Sequence, residues 1–391
     1  MNRLVFVFVF AESIVILGFQ LFGLNVLWSF SEGSNGILGL AVIIGTASVF
    51  RAVSSLIRGY IVDSFQKKTT IIISLSICGF LCIVWIFAEQ FLIMAIITYI
   101  AITFAQEIYS GSYTALVAEK LGPKDYIKYD SVSIMAGRVV AIAGNLLSAL
   151  LIIFLSVEAV VFMVAAAIGL GVFVCQRLLP KSNVGGEAAK AKMTWSFAKE
   201  NVLGDKKVLV FIAIVFLLNL DYAFIPTLLP LYIIAAAELS SPLLFGVVRA
   251  GNNIGEFAAS GIVLKYSHLV SRLTKIGLAG SAITFILLPF LYKNPVAVVL
   301  FFIIYSFFDM LTQPMYSYFV SSLKPEKRGR ILGAVDSIIL LASPFGILLG
   351  GFLSNFGMAA VSTGIVVVFT ASFAIIAKSK IYGSIIISEK S

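Results

Sequence analysis

Charged side chains lie inside the long apolar stretches of this 391-residue chain. Nine lipid-facing charges at the bilayer centre, at about 2.5–3.5 kcal/mol each, would cost on the order of 25 kcal/mol. They are therefore predicted to face a water-filled cavity or one another, where carboxyls can exchange protons and attract cations. The nine are Glu12, Glu107, Asp221, Glu256, Asp309, Asp336, Arg51, Arg138 and Arg249.

Several of these charges could form pairs. Glu107 and Arg138 fall at similar heights on neighbouring spans, so Glu107 is either a structural ion-pair partner or a proton-exchanging group. Asp309 has no evident basic partner on an adjacent span, which favours proton exchange. Arg249 and Glu256, seven residues apart on one helical face, form either an internal charge pair or a contact for an anionic substrate group.

Prolines follow Asp221 in the seventh apolar stretch. Pro226 and Pro230 each remove a backbone donor, so a kink is predicted beside this acid. The kink could form a gate and a binding site, or it could serve packing alone with Asp221 hydrated. Arg51 is predicted either to face the cavity or to balance Asp336.

Composition places the chain in a lipid bilayer. Hydrophobic residues make up 60% and charged residues 12%, and the mean hydropathy is +1.06, which is too apolar for a water-soluble domain. The net charge of +9 is spread over many short loops, which is typical of membrane topology and argues against nucleic-acid binding. The three cysteines lie in apolar runs and the chain has one histidine, so neither disulfides nor a metal site are predicted.

Twelve stretches are long enough to cross a bilayer as helices. They divide the chain into two six-helix halves, 1–178 and 207–378, with a cytoplasmic linker at 179–206 and a cytoplasmic tail at 379–391. The stretches are 4–29, 36–62, 69–88, 91–117, 130–154, 158–178, 207–236, 242–266, 273–292, 295–321, 331–356 and 358–378.

The basic residues predict the orientation of these spans. With both termini in the cytoplasm, 23 of the 28 lysines and arginines fall on cytoplasmic segments or at the cytoplasmic ends of spans, four lie deeper within spans, and only Lys293 is outside. Positive loops are retained on the cytoplasmic side of a membrane. The sequence therefore predicts a multi-pass protein of the cell membrane with both termini cytoplasmic.

The two halves show an internal repeat. A single offset of 202 residues relates four pairs of positions. The pairs are Gly59 with Gly261, Glu107 with Asp309, Pro123 with Pro325, and Gly144 with Gly346. Acids inside membrane spans are rare, so the pairing of Glu107 with Asp309 is the most informative of the four. Gly251 with Gly255, and Gly346 with Gly350, are small-residue pairs predicted to let helices approach closely.

The loop after the second span resembles a signature of the major facilitator superfamily in its twelve-helix form, G-x-x-x-D-[RK]-x-G-[RK]-[RK]. The chain keeps Gly59, Asp63, Lys67 and Lys68 and departs at Ser64 and Gln66. The segment 343–351 is similar to the family's glycine- and proline-rich eleventh helix. The resemblance implies an all-α fold of twelve transmembrane helices in two six-helix halves related by a pseudo-two-fold axis, with helices 1, 4, 7 and 10 lining a central cavity. A narrower similarity is to multidrug and macrolide exporters.

These observations predict a secondary transporter that works by alternating access as a monomer. The excess of acids over bases favours proton-coupled export of a hydrophobic or cationic small molecule. Tyr109, Tyr113, Tyr222 and Tyr316 could contact a cationic ligand through their rings. Uptake or exchange of an anionic metabolite through Arg51, Arg138 and Arg249, and a membrane sensor without transport, are the alternatives. No enzyme activity, cofactor or ATP site is predicted, since no Walker motif or nucleophile–base pair is present.

Overall fold

The computed structural model describes residues 3–32, 36–121, 123–181, 202, 204–239, 241–266, 269–316, 319, 331, 335 and 337–378. This part of the chain is almost entirely helical and contains no strand. The first six helices are α1 (Arg3–Glu32), α2 (Gly36–Ser64), α3 (Lys67–Ala88), α4 (Leu92–Lys120), α5 (Pro123–Phe154) and α6 (Val157–Leu178). The others are α7 (Lys206–Phe224), α8 (Leu229–Ala236), α9 (Pro242–Tyr266), α10 (Val270–Leu291), α11 (Pro295–Met310), α12 (Ala342–Leu353) and α13 (Met358–Lys378).

The predicted all-α membrane fold is confirmed. Among the described residues, nine helical segments are long and apolar enough to cross a membrane, and each overlaps one of the twelve predicted spans. The other three predicted spans are helical but more polar or interrupted. The second keeps a shorter apolar segment, Leu38–Ser54, the seventh is broken between α7 and α8, and the eighth carries Arg249 and Glu256.

The chain divides into two compact units. The N-terminal unit comprises Met1–Lys190 with Phe245–Ala250, and the C-terminal unit comprises Ala191–Leu244 with Gly251–Ser391. The short segment Phe245–Ala250 belongs to α9, so that helix contributes residues to both units.

Helices of the N-terminal unit pack around α1 and α4. Helix α1 packs on α5 and α6, α3 packs on α4 and α6, and α2 packs on α4. The indole of Trp85 on α3 is fully buried and makes an edge contact with the ring of Phe22 on α1, at 5.8 Å between centroids. Such aromatic contacts contribute packing energy between apolar helices that have no hydrophobic drive to associate within lipid.

In the C-terminal unit, α7 packs on α12 and α13, and α10 packs on α11 and α13. A buried aromatic cluster joins the second group. The ring of Phe285 lies 5.1 Å from that of Phe301, 5.2 Å from that of Tyr305 and 6.0 Å from that of Phe369. These contacts fix α10, α11 and α13 relative to one another.

The glycine pairs predicted to allow close helix approach do so. A Cβ on Gly346 would overlap the backbone carbonyl of Leu220 on α7, and one on Gly350 would overlap the ring of Phe224. Gly255 on α9 is equally close to Ser306 on α11. The glycines therefore set the distance between α7 and α12 and between α9 and α11.

We expect Gly346→Ala to destabilise the folded protein by about 1–3 kcal/mol, because the added methyl group must displace the backbone of α7. The matched control is Gly169→Ala on α6, where an added Cβ meets no atom within 4 Å, so the free energy of unfolding should stay the same or rise. Denaturant unfolding of the purified variants tests this pair. Equal stability of the two variants would contradict the close approach of α7 and α12.

Candidate functional site

Three carboxyls of the C-terminal unit are buried. Asp221 on α7 and Glu256 on α9 are each 7% exposed, and Asp309 on α11 is 8% exposed. Asp309 lines a cavity together with Tyr222 of α7, whereas Asp221 lines a smaller one with Gly346 and Gly350 of α12. The predicted site residues Asp221, Glu256 and Asp309 are thus all buried within the C-terminal unit.

The hydrogen bonds of this group are incomplete. Asn252, one turn before Glu256 on α9, donates from Nδ2 to Glu256 Oε1 at 3.1 Å. The Oδ2 atom of Asp221 is buried and accepts no hydrogen bond from the described residues. A buried acceptor without a donor is costly, so Asp221 is suited to take up a proton or a donor from a ligand or water.

The helix carrying Asp221 is interrupted just after it, as the sequence predicts. Helix α7 ends at Phe224 and α8 begins at Leu229. Pro226 has no N–H to offer the carbonyl of Tyr222 four residues earlier, so the helical ladder cannot continue there. The chain instead turns through Leu228, whose N–H donates to the Phe224 carbonyl at 2.9 Å.

Asp309 stands at a second interruption that the sequence analysis missed. From Asp309 onward the backbone hydrogen bonds join residues three apart instead of four, with Thr312 N donating to Asp309 O at 2.9 Å. Thr312 Oγ1 donates to the same carbonyl at 2.8 Å. Pro314 follows Asp309 by five residues, just as Pro226 follows Asp221. The repeated spacing D-x-x-x-x-P was the sequence signal that could have linked the two acids.

A cavity of about 270 Å³ lies beside Asp309. Its lining combines polar groups and aromatic rings with aliphatic side chains, and it includes no lysine or arginine among the described residues. The lining residues are Val215, Leu218, Asn219, Tyr222, Asp309, Thr312, Gln313, Met315, Tyr316 and Ile339. A carboxyl group flanked by two tyrosines in a largely apolar wall can hold a cationic or amphipathic molecule.

Two of the predicted charges in the N-terminal unit form an ion pair. Arg51 Nη2 on α2 contacts Glu107 Oε1 on α4, and the side chains are 47% and 13% exposed. The sequence predicts Arg138 as one possible partner of Glu107, and the structure describes an ion pair of Glu107 with Arg51. Arg138 itself lies half-buried on α5. The packing of α2 on α4 makes the Arg51 pairing possible.

A second N-terminal acid, Glu12 on α1, is satisfied by α5. Its Oε2 accepts a hydrogen bond from Tyr129 at 2.7 Å and another from Ser133. Aromatic rings surround this contact, with the Phe8 ring centroid 6.2 Å from that of Tyr129. Tyr113 also packs on Phe8 and donates to its carbonyl. Glu12 therefore joins α1 to α5.

The residues that resemble the family's loop signature lie at the end of α2 and the start of α3. Gly59 and Asp63 are in the last turns of α2, and the side chain of Asp63 is outside the described part of the structure. Lys67 Nζ is 3.2 Å from Glu119 on α4, and Lys68 Nζ donates to the Leu179 carbonyl. The two lysines thus join the start of α3 to α4 and to the end of α6.

Arg249 is half-buried on α9, with its guanidinium 5.8 Å from the centroid of the Phe245 ring. A guanidinium over an aromatic face is stabilised by the ring quadrupole. Where the structure is described, no group of three or more histidine, cysteine or acidic side chains has the arrangement of a metal site.

Helices of this length and apolarity, with a buried carboxyl beside a largely apolar cavity, are typical of a membrane transporter. Residues 4–346 match the sequence profile of the Major Facilitator Superfamily, and the chain belongs to that family. It is a multi-pass membrane transporter. No curated protein matches the chain in sequence.

Solved structures share its fold. A mutant of the nucleoside transporter NupG superposes with a TM-score of 0.77 at 13% identity, over 95% of this chain and 100% of that one. The human organic anion transporter MFSD10 (TETRAN) superposes with a TM-score of 0.69 at 16% identity, over 96% and 99%. A bacterial homolog of the human lysosomal transporter Spinster, inward-facing and unoccupied, gives 0.66 at 11% identity, over 98% and 96%.

The ion pair of α2 and α4 gives a test of the N-terminal geometry. Arg51→Gln should lower the free energy of unfolding by roughly 1–3 kcal/mol, between the values for exposed and buried pairs, because the mostly buried Glu107 loses its contact with the Arg51 guanidinium. The double variant Arg51→Gln/Glu107→Gln should recover most of that loss. Denaturant unfolding of the four proteins measures the coupling, and strictly additive effects would contradict the pair.

Proposed function

We propose that this transporter exports a hydrophobic or cationic small molecule in exchange for protons, by alternating access. The observation that supports this most is the cavity of the C-terminal unit. Asp309 supplies a carboxyl, Tyr222 and Tyr316 supply aromatic faces, and the described lining offers no base. Such a cavity attracts organic cations and disfavours anions.

The buried acids Asp221 and Asp309 support the coupling to protons. An acid inside a membrane span that reaches a water-filled cavity can take up and release protons. A cationic substrate in the cavity would be attracted to the same carboxyl of Asp309. Protons and substrate would then compete for these carboxyls, which is the thermodynamic requirement for exchanging one against the other.

The alternative is uptake or exchange of an anionic metabolite. It needs Arg51, Arg138 or Arg249 to bind a carboxylate or phosphate. Arg51 already contacts Glu107, which weighs against a role as the anion site. MFSD10 is an organic anion transporter and NupG a nucleoside transporter, but at 16% and 13% identity they carry no argument about the substrate of this chain.

The proposed arrangement in the cell has both termini in the cytoplasm and the protein acting as a monomer in the cell membrane. The excess of basic residues on one set of loops supports the orientation. The two predicted halves, 1–178 and 207–378, are the bodies that would alternate.

Asp309→Asn should abolish proton-driven transport while leaving substrate exchange in place. The amide keeps the shape and one acceptor oxygen of the carboxyl but cannot be protonated. The assay is transport of the lipophilic cation tetraphenylphosphonium by proteoliposomes, with and without an imposed pH gradient. Glu158→Gln, which removes an exposed acid on α6, is the control. Full gradient-driven transport in Asp309→Asn would move the coupling role to Asp221 or Glu107.

Lipophilic cations should stabilise the purified protein against heat, and organic anions of matched size should not. A ligand that binds only the folded state adds about 2.7 kcal/mol at a concentration 100 times its Kd. This stabilisation should weaken in Asp309→Asn. Stabilisation by anions alone, lost in Arg249→Gln, would replace the cation exporter with an anion carrier.

A further inference from the structure

A groove of about 550 Å³ runs along the N-terminal unit between α2 and α3. Helix α4 forms its floor, because α2 and α3 each pack closely on α4. The floor is small or apolar, with Ala101, Ala105 and Ile108 lying at helical spacing. The C-terminal cavity lies in the other unit and is separate from this groove.

The groove opens on the outer surface of the unit. Its side chains Phe65, Ile73 and Ile77 are 57%, 54% and 45% exposed, and its lining is almost wholly apolar. In a chain that spans a bilayer, the medium at such a surface is lipid hydrocarbon. Water gains no hydrogen bonds there, so the occupant that fits is an alkyl chain.

One end of the groove is polar. Gln66 and Thr69 line it at the start of α3, where Thr69 Oγ1 donates to Gln66 Oε1 at 2.8 Å. The membrane span formed by α3 begins at Lys67 and that formed by α4 ends at Lys120. The polar end therefore lies at a membrane–water interface.

Positive charge is placed at this same end. Glu119 lies 3.2 Å from Lys67 and 2.8 Å from Lys120, which leaves one net positive charge on the three side chains. Glu119 follows Ile108 by eleven residues, about three helical turns, so it continues the face of α4 that forms the groove floor. An anionic group at the end of the groove would be met by an ammonium group.

The length of the groove suits a lipid chain. Its lining extends along α3 from Gln66 to Leu81, a rise of about 22 Å. One leaflet of the hydrocarbon core is about 15 Å thick. A chain lying in the groove can therefore run from the interface through its whole leaflet.

We propose that this groove binds one anionic phospholipid, with an acyl chain between α2 and α3 and the headgroup at Lys67 and Lys120. The bound chain would contact Phe104, whose ring packs 5.7 Å from that of Phe50. Phe50 is next to Arg51 in the sequence, and Phe104 lies about one helical turn before Glu107 on α4. Lipid in the groove thus touches the helix pair that carries the N-terminal ion pair.

The test uses phosphatidylglycerol with a diazirine in its acyl chain, reconstituted with the full chain in phosphatidylcholine vesicles, followed by mapping of the crosslinked peptides. Labelling should concentrate on 66–81 and 101–108. Labelling by the phosphatidylglycerol probe should exceed labelling by the matching phosphatidylcholine probe about fivefold, because one favourable charge near the membrane surface changes affinity by about that factor. Lys120→Gln should remove this headgroup preference.

Two variants fill the groove and one serves as control. Ala101→Phe fills the floor and Ile77→Trp fills an exposed wall, so each should cut labelling of both segments several-fold. Ala166→Phe enlarges an exposed alanine of α6 outside the groove and should leave the labelling unchanged. Labelling spread evenly over the exposed faces of α3, α4 and α6, or unaffected by both filling variants, would overturn the site. Equal labelling by the two headgroups would overturn its anionic selectivity.

Discussion

The cost of holding charge in hydrocarbon is the constraint on which the rest of this structure depends. An ionised side chain inside a span needs an opposite charge, hydrogen-bond donors or water, because the bilayer offers none of them. The N-terminal unit meets this need internally, with Arg51 against Glu107 and Glu12 held by Tyr129 and Ser133. In the C-terminal unit, Asp221 and Asp309 are both buried, and Asp309 lines a cavity that can admit water or a ligand.

The backbone of the C-terminal unit is irregular where these acids lie. Asp221 and Asp309 each come five residues before a proline, and at each the regular α-helical ladder stops within a turn. Irregular backbone is tolerated at membrane depth only where it is buried in protein or lines a cavity. The cavity beside Asp309 and the close packing of α7 on the glycines of α12 supply these two surroundings.

The helices and their order could be predicted from the sequence, because twenty or more apolar residues have few other stable states in a bilayer. The close contacts at the glycines of α9 and α12 could also be predicted from local sequence, because small residues at i and i+4 lie on one face of a helix. The contact of Arg51 with Glu107 could not. Height along a helix is readable from residue number, but which side chains meet depends on how α2 and α4 are rotated and tilted against each other, which packing determines.

The break after Asp309 shows a different limit. Pro314 was visible in the sequence, yet it followed an apolar run that already satisfied the length of a span. Only the i to i+3 bonds of Thr312 and its neighbours reveal that the helix tightens at the acid itself. The shared proline spacing places Asp221 and Asp309 in equivalent local settings, each at the point where its helix is interrupted. Under the proposed mechanism, a proton or a cation bound at either acid therefore acts at a break in its helix, where the missing proline N–H leaves the backbone less constrained by hydrogen bonds.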